Sequence, residues 1–72
     1  LNTAAFSFAF LARAEYLAGA WDDAVVHAER AVAINIEADL DFTRSMVVGI
    51  AALVPAARGD WEAAERAMEG AP

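Results

Sequence analysis

The chain has 72 residues, a net charge of −6, no cysteine and an apolar fraction of 60%. The missing cysteines exclude a disulfide framework and thiolate metal sites. The acidic balance argues against a nucleic-acid surface, which needs a basic patch. A chain of this size forms one small domain, whose core alone is usually worth no more than about 3–5 kcal/mol. Soluble domains are usually about 45–50% apolar, so the surplus here calls for cover by another subunit or by neighbouring chain. The five cations, Arg13, Arg30, Arg44, Arg58 and Arg66, are scattered singly, and there is no lysine. Twenty alanines with arginine and no lysine fit a high-GC bacterial genome. The chain opens on Leu1, not methionine, and reads as a piece of a longer protein. Its uncharged stretches, 1–12 and 45–57, fall short of the roughly 20 residues that span a bilayer. Buried helices and a cytoplasmic location are expected, with no membrane partner.

Periodicity and punctuation predict four helices. The first is capped by Asn2 or Thr3 and runs to about Ala18. Phe6, Phe10, Ala14 and Leu17 recur on it at helical spacing, with Phe8 and Leu11 on a second face. It is apolar nearly all round, so it should be the most enclosed helix or lie at an interface. Gly19 ends it, because glycine tolerates the left-handed conformation of a helix C-cap. The second helix spans about Trp21 to Ile36, with Asp22 and Asp23 favoured at the positive end of its dipole. Val25, Ala28 and Val32 form its apolar stripe, flanked by Ala24 and Ala31, and Asp23, His27 and Arg30 its wet face.

Residues 37–39 connect to a third helix, capped by Asp39 and running from about Leu40 to Arg58. Phe42, Met46, Ile50 and Leu53 mark its expected inner face, with Val47 and Val54 beside them. Pro55 removes one helix hydrogen bond and clashes with the carbonyl of Ala51, so a kink or early stop is expected. Gly59 ends this helix and Asp60 caps the fourth, Trp61 to about Glu69, with Trp61, Ala64 and Met68 expected inward. Glu62 and Arg66 stand at i, i+4 in the favourable order. The fold class is therefore all-α: two antiparallel helical hairpins, about 3–37 and 39–70, in a single domain covering 1–72.

One pattern occurs twice. Gly19-Ala20-Trp21-Asp22-Asp23-Ala24 and Gly59-Asp60-Trp61-Glu62-Ala63-Ala64 share Gly, any residue, Trp, acidic, any, Ala. Self-similarity on this scale points to stacked hairpins. With Ala31 and Val32 further on, the first copy resembles the second half of a tetratricopeptide repeat, and Gly59 to Ala64 resembles it again. The tyrosine expected in the first half of such a repeat is Glu15 in one copy and Pro55 in the other. The spacing also exceeds the usual 34 or so. The repeat signature is thus Gly19, Trp21, Ala24 and Ala31, then Gly59, Trp61 and Ala64. The stretches Leu11 to Trp21 and Ala51 to Trp61 further resemble the helical-repeat region of large bacterial LuxR-family, maltose-activator-like transcriptional regulators. That resemblance implies a sensor region set between an ATPase module and a DNA-binding helix-turn-helix.

Chemistry-bearing residues are few. His27 with Asp23 at i−4 could pair on a helix face, yet one histidine and one exposed carboxylate do not make a site. Asp22-Asp23 resembles an acid–base pair, but its place in a first helical turn explains it without catalysis. No phosphate loop, Ser–His–Asp set or metal spacing occurs, so no catalytic residue, cofactor or metal is expected. Phe6, Phe8, Phe10 and Tyr16 crowd the first helix beyond what one face can bury. With Met46 and Ile50 they form the candidate interface or ligand groove. The expected function is a non-catalytic protein-interaction or effector-sensing module. Its partners would be a second copy, neighbouring repeats of a parent chain, or a small apolar ligand. The alternative is a small-molecule-binding bundle with a cavity lined by Phe6, Phe10, Met46, Ile50 and Trp61. Surplus apolar surface on the first and third helices predicts self-association.

Overall fold

Both glycines that punctuate the sequence have positive φ, +86° at Gly19 and +79° at Gly59. In the computed structural model, which describes residues 4–38 and 41–69, each follows a helix and starts a tight corner. At the first, Ala20 N–H donates to Glu15 O at 2.8 Å and Gly19 N–H to Tyr16 O at 3.2 Å. At the second, Asp60 N–H donates to Pro55 O at 2.9 Å and Gly59 N–H to Ala56 O at 3.1 Å. Each pair is a Schellman closure, in which the left-handed residue turns two backbone donors onto the last carbonyls of the helix. The next helix starts at once: Ala24 N–H reaches Ala20 O and Ala64 N–H reaches Asp60 O, both at 3.0 Å.

The chain is all-α, in the order α1 (Ala4–Ala18), α2 (Trp21–Ala38), α3 (Asp41–Ala51), α4 (Leu53–Ala57) and α5 (Trp61–Met68). Among the described residues there is no strand. The expected third helix is split in two. Pro55 has no N–H for the Ala51 carbonyl, and its ring crowds that carbonyl. The break therefore falls one turn earlier, at Ala52 (φ −83°, ψ −12°), and Ala56 N–H resumes the ladder to Ala52 O at 3.0 Å. Asp60 caps α5 as expected, its Oδ1 accepting from Ala63 N–H at 3.1 Å. The expected caps at Asn2 or Thr3 and at Asp39, the ending at 70–72 and the side chain of Phe42 lie outside the described residues.

α1 and α2 run antiparallel, with Glu15 against His27 and Ala9 packed with Ala31 in one cluster. α3 lies antiparallel to α2, with Thr43 beside Asn35 and Val47 beside Ala31. α3 also touches α1, and α5 packs on both α3 and α4.

The buried faces agree only in part with those expected: Ala24, Ala28, Ala31, Val47, Val54 and Ala64 are buried as expected, and others are not. On α1 the buried residues are Ala5, Ala9 and Ala12, while Phe10 is 56% and Leu17 66% exposed. α1 is thus a face of small residues turned inward, not an enclosed helix. On α2 they are Ala24, Ala28, Ala31 and Asn35, with Val25 and Val32 only half-buried. On α3 and α4 they are Thr43, Val47, Val48 and Val54, while Met46, Ile50 and Leu53 are half-buried. On α5 Ala64 is buried, but Trp61 is 66% and Met68 44% exposed. The reason is spacing. Helix axes only about 8–10 Å apart leave room for short side chains on the contact line. Ala9 and Ala31 sit there, and the larger side chains Phe8, Val32, Met46 and Ile50 pack round the rim.

The corners set a first stability prediction. Nothing lies within 4 Å of a Cβ built at Gly19 or Gly59, so a substitution there meets only backbone strain. Gly19→Ala and Gly59→Ala should each lower stability by about 1–2 kcal/mol, the cost of the left-handed conformation for an L-residue. Urea denaturation followed by circular dichroism measures this, and unchanged midpoints would remove the strain argument.

Candidate functional site

The two corners, far apart in sequence, lie side by side. Trp21 is the first residue of α2, so its indole falls back over the end of α1. Trp21 Nε1–H donates to Tyr16 O at 3.1 Å, a second donor on the carbonyl that already accepts from Gly19 N–H. The Tyr16 and Trp21 rings stack at 5.8 Å and 14°. From the second corner Arg58 reaches across. Its Cζ lies 5.7 Å from the Trp21 ring centre, and its Nη2 donates to Asp22 Oδ1 at 2.8 Å. Arg58 is 45% and Asp22 96% exposed, so water screens this link. Arg58→Ala should cost under about 1 kcal/mol and less at high salt, read by denaturation at low and high ionic strength.

Trp61, which holds the same place in the repeated sequence motif, has no such company among the described residues. Ala56 stands where Tyr16 stands in the first copy, and the indole borders an open groove of about 450 Å³ with Ala52, Ala56, Ala64 and Met68. This groove lies between α4 and α5, beside the break at Ala52.

A larger, half-enclosed groove of about 820 Å³ runs between α2 and α5 over α3 and α4. Val25, Ala28, Val32, Val47, Val48 and Pro55 give it apolar walls, and Arg44, Arg66 and Glu29 stand at its margins. It is not the cavity expected from sequence. Phe6, Phe10, Met46, Ile50 and Trp61 are not among the residues that line it. Phe6 and Phe10 instead stack on each other at 6.2 Å along α1. Phe8, Met46 and Ile50 pack against the Ala9, Ala31 and Val47 core, and Tyr16 belongs to the first corner. The six candidate interface residues are thus spread over three places.

His27 is not on a wet face. It is half-buried between α1 and α2, its ring stacked on Phe8 at 5.9 Å and its Nδ1 2.6 Å from Glu15 Oε1. A carboxylate oxygen can only accept, so Nδ1 carries the proton in this bond. Its observed partner is Glu15 across the helix seam, and the contact ties the two helices together. Among the described residues no group of three or more His, Cys, Asp or Glu is placed to hold a metal ion. Among them, too, no helix is long and apolar enough to cross a membrane. No protein-family model matches the chain, and no curated protein or solved structure is significantly similar to it.

Proposed function

We propose that this chain is a non-catalytic, tetratricopeptide-like interaction module, part of the helical-repeat sensor region of a cytoplasmic bacterial LuxR-family transcriptional regulator. The observation that carries the module reading is the pair of corners with identical backbone closures, linked by Arg58 lying over Trp21. Such corners let hairpins stack, and stacked hairpins offer extended surfaces to other proteins. The long groove supports the same reading. Apolar walls with a few charged groups at the margin suit the apolar face of an incoming helix. Binding there would act by biasing the rest of the regulator rather than by chemistry. The regulator assignment rests on the resemblance of the segments around Trp21 and Trp61.

A second reading, a small apolar effector in the same groove, is favoured by the groove's volume of about 820 Å³, within the range usual for ligand sites. Reading the gene that encodes the chain tests the assignment. A phosphate-binding loop upstream and a basic helix-turn-helix downstream in one open reading frame are expected, and a frame holding neither would overturn the regulator reading. The 72-residue chain itself should show no duplex DNA binding at physiological salt, measured by fluorescence anisotropy.

A further inference from the structure

With the chain taken as stacked hairpins, the groove between α4 and α5 repeats a surface that is closed in the first hairpin. Gly49, Ala52, Ala56, Trp61, Ala64 and Met68 stand 40 positions after Ala9, Ala12, Tyr16, Trp21, Ala24 and Ala28. In the first hairpin Ala9, Ala12, Ala24 and Ala28 are at most 4% exposed. Part of their cover comes from the second hairpin: Val47 and Ile50 pack at Ala9, and Arg58 lies over Trp21. In the second hairpin Ala64 is buried, but Gly49, Ala52 and Ala56 are only half-buried and the rest of the same surface is open. A Cβ built at Gly49 meets nothing within 4 Å, and Trp61 and Met68 are 66% and 44% exposed.

The complementary surface is also present and also open. Shifted back by 40, Ile50, Val54 and Arg58 become Phe10, Ala14 and Ala18, which lie one turn apart along α1. All three are exposed, Phe10 at 56%. One end of the molecule therefore presents the helix face that its other end lacks.

We propose that a second copy of this chain seats its α1, through Phe10, Ala14 and Ala18, in the Ala52–Trp61–Met68 groove. This continues between molecules the contact that joins the two hairpins within one, and it rests on reading the chain as stacked hairpins. The contact is head-to-tail, so each added copy leaves a free groove and a free α1. In the copy Ala18 takes the place of Arg58, so Trp61 and Glu62 lack the guanidinium that Trp21 and Asp22 receive.

Sedimentation of the full 72-residue chain over a range of concentrations tests this, with circular dichroism confirming the helical fold of each variant. The weight-average mass should keep rising without stopping at a dimer. Phe10→Glu and Trp61→Glu should each be monomeric alone, yet an equimolar mixture should form a one-to-one pair and nothing larger. Ala18→Arg should tighten association about fivefold by supplying the missing cation over Trp61 and beside Glu62. Three results would overturn the proposal: a strict monomer at millimolar concentration, a closed dimer whose two variants fail to complement, or weakened association in Ala18→Arg. None of these bears on the encoding reading frame, so the regulator assignment stands or falls separately.

Discussion

Ala31→Leu should lower stability by about 3 kcal/mol, at the upper end of what forcing three extra carbons into a packed core costs. Ala31 is fully buried, and Ala9 and Val47 close on it from α1 and α3. A leucine there must push all three helices apart, since the space is bounded by backbone as much as by side chains. A core of this size supplies only about 3–5 kcal/mol in total, so the variant should be largely unfolded at 37 °C. The control is Leu17→Ala, a change of similar size made where the side chain is 66% exposed. It should shift stability by no more than about 0.5 kcal/mol. Urea titrations at dilute concentration compare the two. If Leu17 matters and Ala31 does not, α1 and α2 meet through other faces.

The second large effect concerns the polar pair buried between α2 and α3. Asn35 Nδ2 donates to Thr43 Oγ1, and the residues are 1% and 3% exposed. Arg44 Nε adds a longer bond to Asn35 Oδ1 at 3.4 Å. Thr43→Val keeps the shape and removes the acceptor, leaving a buried amide donor short of its partner. That should cost about 1–3 kcal/mol. Replacing both residues, Asn35→Leu with Thr43→Val, removes the buried amide as well, so the double variant should be more stable than Thr43→Val alone. A double-mutant cycle by thermal and urea unfolding measures the coupling. Additive losses would mean that the bond contributes nothing to holding α2 on α3.

The bends were readable in the sequence, and so were the inward places of Ala28 and Ala64, but the inward side of α1 was not. Gly-x-Trp fixes a corner through local chemistry: a residue free to take positive φ, then a helix start at Trp21 or Trp61. Asp60 was readable for the same reason, since its side chain caps a backbone donor three residues on. Which side of α1 turns inward was hidden, because phenylalanine, leucine and alanine occupy every side of it and periodicity needs contrast. Hydrophobicity pointed to Phe10 and Leu17, but close helix approach selected Ala5, Ala9 and Ala12. The pairing of His27 with Glu15 was missed for another reason. A helix-face search looks four residues away, at Asp23, whereas the contact crosses between helices twelve residues apart. Arg58 on Asp22 spans 36 residues, and only the fold brings them together. The two grooves depend on the Ala52 break and on how α5 packs, neither of which a residue pattern encodes.

Ala20 and Asp60 each close one helix and open the next in the same residue. A corner built so has no slack. One residue added or lost there would turn the following helix by roughly 100° about its axis, a consequence of 3.6 residues per turn, and would swing Ala24 or Ala64 off the seam. Insertions and deletions accumulated over evolution should therefore spare both corners and collect in the link between α2 and α3, which leaves the pitch of a longer array to vary while each elbow stays fixed.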